Sequence, residues 1–182
     1  KALAALQGIG INHLDVQPLN VRVSDSGEIS LIDLNVFEPQ LNSGYKKMLA
    51  NYTYQSPISP ELAKAYIRKE MDPPHNHEKA DVWSFGITMI CASTVCNFRE
   101  FYDFTYGNIL TDKINERLTQ MSQMGYSNYL VKCVGNMVNQ NPDYRPTFKD
   151  LLNFLNPTAL PLDNKITGFG VWGLGFGVWG LG

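Results

Sequence analysis

The segment His13-Leu14-Asp15-Val16-Gln17-Pro18-Leu19-Asn20 decides the fold, together with Ile32-Asp33-Leu34-Asn35 further along the chain. An Asp and an Asn lie five residues apart in the first segment, and a second Asp follows a short hydrophobic run in the other. Asp and Asn are common in turns and caps, where their side chains bind nearby backbone groups. A purely structural role is therefore one interpretation of these acidic positions, and the rest of the sequence has to be weighed against it.

Most of the remaining chain is predicted to be helical. Two β-branched runs, at 21–23 and 29–32, flank Ser24-Asp25-Ser26-Gly27 and predict a β-hairpin. The segment from 37 to 60 is turn-rich without a clear period and is predicted to be a long loop. Two small strands followed by helices predict an α+β, mostly helical fold. The predicted helices cover residues 2–9, 61–69, 80–96, 114–124, 128–139 and 148–155.

Three further motifs follow the two acidic segments in a fixed order. They are Ser59-Pro60-Glu61, Lys79-Ala80-Asp81-Val82-Trp83-Ser84-Phe85-Gly86 and Asn141-Pro142-Asp143-Tyr144-Arg145-Pro146-Thr147-Phe148. In this order and spacing, the segment from about residue 2 to residue 155 resembles the C-terminal lobe of eukaryotic protein kinases. It is more similar to the serine/threonine group than to the tyrosine group. The resemblance implies a kinase-like C-lobe with a small β-hairpin.

The resemblance also implies roles for individual residues. Asp15 would orient the hydroxyl of a protein substrate, and Asn20 and Asp33 would hold the Mg²⁺ ions that bridge the phosphates of ATP. Transfer of the ATP γ-phosphoryl group to a protein serine or threonine is the implied activity, with ATP and Mg²⁺ as cofactors. Glu61 and Arg145 would form a buried salt bridge. Asp81 would accept hydrogen bonds from the backbone of the catalytic loop.

Several positions depart from the family pattern. Leu14 stands where the family has Arg, Gln17 replaces the Lys that neutralises the transferring phosphoryl group, and Asn35 replaces a Gly. Arg22 falls where the family has an apolar residue under the adenine, and no Gly-rich loop or nucleotide-binding strand Lys precedes Asp15. We therefore expect impaired activity. The alternative is a pseudokinase scaffold or binding module without catalysis, whose partner is another protein.

Composition excludes other classes of protein. The chain has 182 residues and a formal charge of -2, so it offers no basic field for nucleic acid. It contains no apolar run long enough to span a bilayer, and no membrane association is expected. Its three cysteines have no zinc or redox spacing, which is typical of free thiols in a reducing compartment. The expected location is therefore the cytoplasm.

The two ends of the sequence differ from the predicted lobe between them. We predict a kinase lobe over residues 1–158 and a linker with a Gly-rich, disordered tail over 159–182. Residues 168–182 repeat Gly-Phe-Gly-Val-Trp-Gly-Leu twice and then end in Gly. All five residue types can be written with G and T codons alone, so a reading frame that runs into a telomere-like DNA repeat explains the pattern. Because the first residue is Lys1 and not Met, the chain is expected either to begin inside a longer protein or to come from a truncated gene model.

Overall fold

The computed structural model describes residues 1–34, 43–52 and 55–155. Within these ranges the chain forms α-helices and two antiparallel hairpins, which confirms the predicted α+β, mostly helical class. Asn35 and the predicted tail at 159–182 lie outside the described residues. The helices are α1 Ala2–Gly8, α2 Gly44–Ala50, α3 Pro60–Ile67, α4 His77–Thr94, α5 Thr111–Gln123, α6 Asn128–Met137 and α7 Phe148–Leu155, and the strands are β1 Val21–Val23, β2 Ile29–Leu31, β3 Tyr102–Asp103 and β4 Asn108–Ile109.

Helix α4 is the centre of the fold. It begins where the Asn76 side chain accepts a hydrogen bond from the backbone N–H of Lys79. Apolar side chains on all sides of the helix are buried, as the sequence predicts for a helix with little charge inside, and α5 and α6 pack against it. Gly86 allows a close approach, since a Cβ there would lie 2.8 Å from Val138 Cγ1. No helix in the described part of the chain is long and apolar enough to cross a membrane.

The predicted hairpin is present. Strands β1 and β2 pair antiparallel with Val21 opposite Leu31 and Val23 opposite Ile29. The turn is closed by a hydrogen bond from the Gly27 N–H to the Ser24 carbonyl, and Gly27 has a φ of 82°, which favours glycine. Arg22 is exposed on β1, so its charge is solvated.

The prediction of an unbroken loop from 37 to 60 was wrong for residues 44–50. These residues form α2, whose N-terminus is capped by the Ser43 side chain through the Lys46 N–H. A helix of seven residues is marginal by itself, and burial of Tyr45 and Met48 supplies the stabilisation that the local sequence lacks. The second hairpin, β3–β4, was also not predicted, because each strand has only two residues.

An ion pair joins α3 to the segment that precedes α7, as predicted. Arg145 Nη1 and Nη2 donate to the two Glu61 carboxylate oxygens at 2.9 and 2.8 Å. The Arg145 side chain is fully buried, and its guanidinium carbon lies 5.2 Å from the centre of the Trp83 ring. The remaining donors bind three backbone carbonyls in two segments of the chain. These are the carbonyls of Lys79, Asn139 and Gln140.

We predict that Glu61→Gln destabilises the chain by about 3 kcal/mol, because it leaves the buried Arg145 charge without its counter-ion. The matched control is Glu100→Gln, which breaks a second Glu–Arg pair, with Arg117, at the half-exposed surface. The control should cost less than about 1 kcal/mol. Urea denaturation measures both. If both variants lose the same free energy of unfolding, the Glu61–Arg145 pair contributes no more to stability than the pair at the surface.

The same pair predicts a dependence on pH. Burial by itself raises the pKa of Glu61, but the hydrogen bonds and charge of Arg145 hold the pKa below its ordinary value of 4.5. A lowered pKa in the folded state adds stability above pH 4.5, and this addition is lost as the pH falls through the folded-state pKa. The free energy of unfolding of the wild type should therefore fall more steeply on acidification than that of Glu61→Gln.

Candidate active site

Asp15 lies at the bottom of the candidate site and is surrounded by donors. Its side chain is only 2% exposed. Oδ1 accepts hydrogen bonds from Gln17 Nε2 at 2.9 Å and from Ser56 Oγ at 3.1 Å, and Oδ2 pairs with Lys47 Nζ at 2.7 Å. Each of these partners stabilises the ionised carboxylate and holds it in one orientation. Asp15 thus has a buried carboxyl group with a fixed direction, which a turn residue does not require.

Asn20 and Asp33 lie next to Asp15 because the first hairpin begins there. Asn20 ends the 3-10 turn Pro18–Asn20, and its Nδ2 donates to the Asp15 carbonyl at 2.8 Å. Its own carbonyl accepts from the Ile32 N–H at 2.9 Å, one residue before Asp33. Asn20 is buried, whereas the Asp33 side chain is 55% exposed. The structure therefore brings the three predicted site residues together at the base of β1 and β2.

The backbone around these residues is strained. Leu14 and Asp33 have φ angles of 63° and 64°, in the left-handed region that non-glycine residues rarely adopt. Such conformations persist only where surrounding contacts hold them. One such contact runs between the two segments, where His13 Nε2 lies 3.1 Å from the Ile32 carbonyl. Burial lowers the pKa of His13, which favours the neutral form of its imidazole.

Asp81 holds the loop in place from below. Its Oδ2 accepts from the His13 N–H at 2.6 Å, and its Oδ1 accepts from the Leu14 N–H at 2.8 Å. Burial raises the pKa of Asp81 to about 7, although both amide donors act in the opposite direction. Because Asp81 lies on α4, the loop is attached directly to the most buried helix. The predicted contact between Asp81 and the loop backbone is confirmed.

Lys47 is the site residue that sequence reasoning missed. Its Nζ lies 2.7 Å from Asp15 Oδ2 and 2.8 Å from Asp33 Oδ2, so one ammonium pairs with both carboxylates. We expected the acidic residues to lack a nearby positive charge, because Gln17 has replaced a lysine. Lys47 supplies that charge from 32 positions further along the chain. No local sequence pattern predicts the contact between Lys47 and the two carboxylates, since this contact depends on α2, which was not predicted.

Gly44 explains how α2 comes so close to Asp15. A Cβ at this position would lie 2.6 Å from Asp15 Oδ1 and 2.7 Å from Ser56 Oγ, and both distances are shorter than any ordinary contact of a Cβ atom. The Gly44 N–H also donates to the Leu14 carbonyl at 2.9 Å. Gly44 and Lys47 lie three residues apart on the same helical face. The first turn of α2 therefore contacts the site at Gly44, where the missing side chain allows the close approach. The last turn of α2 carries the Lys47 ammonium.

The donor set restricts which metal could bind. Within 1–34, 43–52 and 55–155, no group of three or more His, Cys, Asp or Glu side chains could hold an ion. His75 and His77 lie close, with Nε2 and Nδ1 3.0 Å apart, but His75 Nδ1 is also bound to the Pro73 carbonyl. At the candidate site, Asn20 and Asp33 offer amide and carboxylate oxygens. Hard oxygen donors of this kind fit Mg²⁺, which keeps several of its own waters.

Comparison with known proteins points to one family. Residues 1–155 match the family model described as the protein kinase domain. Over 158 residues the chain is 28% identical to human dual specificity mitogen-activated protein kinase kinase 7. The aligned region covers 79% of this chain and 33% of that protein. It is 38% identical over 88 residues to the serine/threonine-protein kinase pakE of Dictyostelium discoideum, or 48% of this chain and 8% of that protein. The matched part is thus a third or less of either relative.

We predict that Asp81→Asn lowers the free energy of unfolding by about 2 kcal/mol, because one loop amide loses its buried acceptor. The backbone N–H groups of His13 and Leu14 should then exchange with solvent faster than in the wild type, which amide hydrogen exchange measures. Asp25→Asn, in the exposed hairpin turn, is the control and should change neither value. Unchanged exchange at both amides would contradict the proposed attachment of the loop to α4.

Proposed function

The chain belongs to the protein kinase family, and on that premise we propose that residues 1–158 form the C-terminal lobe of an enzyme that phosphorylates protein serine or threonine. The donor would be ATP, whose γ-phosphoryl group passes to the hydroxyl of the protein substrate. One observation carries this proposal. The carboxylates of Asp15 and Asp33 lie within 2.8 Å of the same ammonium nitrogen, beside the Asn20 amide, where the family's reaction requires two acids and an amide.

Asp15 would orient the substrate hydroxyl and accept its proton. Its carboxylate is buried, its Oδ1 is fixed by Gln17 and Ser56, and the backbone before it is attached to α4. A carboxylate with a fixed direction can position a hydroxyl without reorganisation during the reaction. Gln17 contributes only a neutral donor here. The charge that the family's lysine brings to the phosphoryl group would have to come from another residue.

Asn20 and Asp33 would hold Mg²⁺. The Asn20 amide nitrogen is occupied by the Asp15 carbonyl, which leaves the amide oxygen as the atom that can bind a cation. The exposed Asp33 carboxylate is accessible to a hydrated ion. When bound, Mg²⁺ neutralises charge on the phosphates of ATP.

We infer that the observed arrangement is a closed state with impaired activity. The ammonium of Lys47 pairs with the carboxylate that would orient the substrate and with the carboxylate that would bind the metal. A hydroxyl and a cation would both have to displace it. Displacement requires the partly exposed Lys47 side chain to turn away from both carboxylates, while Tyr45 and Met48 keep α2 packed on the core. The closed state is thus held by two carboxylate contacts and by burial of two large side chains.

A metal titration tests whether Lys47 competes with Mg²⁺. We predict that Lys47→Met lowers the unfolding midpoint in the presence of a chelator, because Asp15 loses its buried counter-ion. The same variant should gain more stability from millimolar Mg²⁺ than the wild type, since binding to the folded state raises the midpoint. Thermal unfolding with and without Mg²⁺ measures both effects.

Lys46→Met is the matched control for this titration. Lys46 lies on the same helix but binds the Met71 carbonyl and lies 3.8 Å from Asp72, away from the site. Its response to Mg²⁺ should equal that of the wild type. If Lys47→Met and Lys46→Met respond equally to the metal, Lys47 does not compete for the site.

Phosphoryl transfer tests the enzymatic proposal itself. The chain is joined to the N-terminal lobe of a related kinase, and transfer from radiolabelled ATP to a protein substrate is measured. We predict low transfer by this chimera, higher transfer with Lys47→Met, and a loss of at least about 100-fold when Asp15→Asn is added. Full activity in the Asp15→Asn chimera would exclude the role proposed for Asp15.

The second candidate function is a pseudokinase scaffold that binds a partner protein. It is favoured by the uncharged Leu14 and Gln17 and by the Lys47 contacts, which together close the site without any nucleotide. The two functions differ in the chimera experiment. If the chimera folds and binds ATP, yet neither it nor its Lys47→Met variant transfers phosphate, the scaffold function replaces the enzymatic one.

A further inference from the structure

The C-terminal end of α4 places two thiols side by side. Val95 has left-handed backbone angles (φ 51°, ψ 51°), and the N–H groups of Val95 and Cys96 both donate to the Cys91 carbonyl. This cap folds the chain back so that the second residue after the helix contacts the last turn. Cys96 Sγ consequently lies 3.9 Å from Cys91 Sγ. Their proximity follows from the backbone conformation of the helix cap.

The two thiols differ in access to solvent. Cys91 is buried at 6% exposure, whereas Cys96 is partly exposed. Either sulfur can donate to the other, and the charged form is less costly at the more exposed Cys96. The Cys91 thiol lowers the pKa of Cys96 to about 7. The hydrogen bond to Cys96 raises the pKa of Cys91, and burial acts in the same direction. Cys96 is therefore the more nucleophilic thiol near neutral pH.

We propose that Cys91 and Cys96 form a reversible disulfide when the protein meets a hydroperoxide, which makes the end of α4 a redox modification site. This function is independent of phosphoryl transfer and of the groups around Asp15. The Cys-x4-Cys spacing is not a recognised redox motif, and the sequence alone predicted free thiols. The helix cap, which only the structure reveals, is what makes the pair reactive.

The reaction has two steps. The Cys96 thiolate attacks one oxygen of hydrogen peroxide, the O–O bond breaks, and the departing hydroxide takes a proton to become water, which leaves Cys96 as a sulfenic acid. The Cys91 sulfur then attacks the Cys96 sulfur, the S–O bond breaks, and the leaving hydroxide combines with the Cys91 proton as a second water. Two thiols lose two electrons in total, and the peroxide gains them.

The distance to be closed is small. A disulfide needs a sulfur separation of about 2.05 Å, so the two atoms must approach by roughly 2 Å from their present 3.9 Å. The helix cap already holds the two backbones together, with the Cys96 N–H 3.3 Å from the Cys91 carbonyl, and the Cys96 side chain is partly exposed, so the approach requires a local movement. Cys133, which is buried on α6, serves as an internal control in the same molecule.

Mass spectrometry of the full chain tests the proposal. The reduced protein is treated with hydrogen peroxide, remaining thiols are alkylated, and the tryptic peptide of residues 80–99, which contains both cysteines, is analysed. We expect this peptide to escape alkylation and to lose about 2 Da, the two hydrogen atoms removed. A thiol reductant should restore both alkylation sites. Cys133 should remain a thiol throughout.

Two variants separate the steps. Cys91→Ser should stop at the sulfenic acid of Cys96, which a dimedone probe captures, with no loss of mass in the peptide. Cys133→Ser should behave as the wild type. The proposal is overturned if the wild-type peptide shows both thiols intact at peroxide doses that oxidise free cysteine, or if Cys96 proceeds to the sulfinic acid without a disulfide. Both of these results come from the unmutated protein, so they do not depend on the folding of a variant.

Discussion

The rest of this lobe depends on the two hydrogen bonds from the loop backbone to Asp81. They attach a segment with a left-handed residue, Leu14, to the most deeply buried helix of the protein. A backbone conformation of this kind costs free energy and would relax without such a partner. Once the loop is held, the position of Asp15 follows, and the hairpin that carries Asp33 is fixed against it through Asn20 and His13. The geometry of the site is thus set by a residue that lies beneath it.

Three acidic residues of the lobe have different partners and therefore different properties. Asp81 is bound to backbone amides, Glu61 to the buried Arg145, and Asp15 to a mixture of neutral donors and the Lys47 ammonium. The first two sets of contacts are between parts of the folded scaffold. The third involves a residue of a helix of only seven residues, which is marginal without the burial of its own side chains. The partner of Asp15 is therefore the one that can most readily be exchanged.

Sequence reasoning succeeded where a local pattern or a motif determined the structure. The β-branched runs at 21–23 and 29–32 predicted the first hairpin, the uncharged run after Asp81 predicted the buried helix, and the resemblance to the kinase family implied the Glu61–Arg145 pair. It failed where long-range contacts decide. Helix α2 is stabilised by burial of Tyr45 and Met48, which no local period reveals, and the Lys47 contacts follow only once that helix exists. The approach of Cys96 to Cys91 likewise depends on a cap conformation that valine rarely adopts.

The contacts of Arg145 have a consequence for descent. This side chain binds Glu61 and three backbone carbonyls, and Asp81 likewise binds only backbone. Neither residue is among those proposed to act on a nucleotide or on a substrate hydroxyl. Substitutions at the residues proposed to act in the reaction therefore leave these scaffold contacts in place. Over descent, the architecture of such a lobe and its chemistry can change separately, so a fold of this kind is material from which selection can build a binding function.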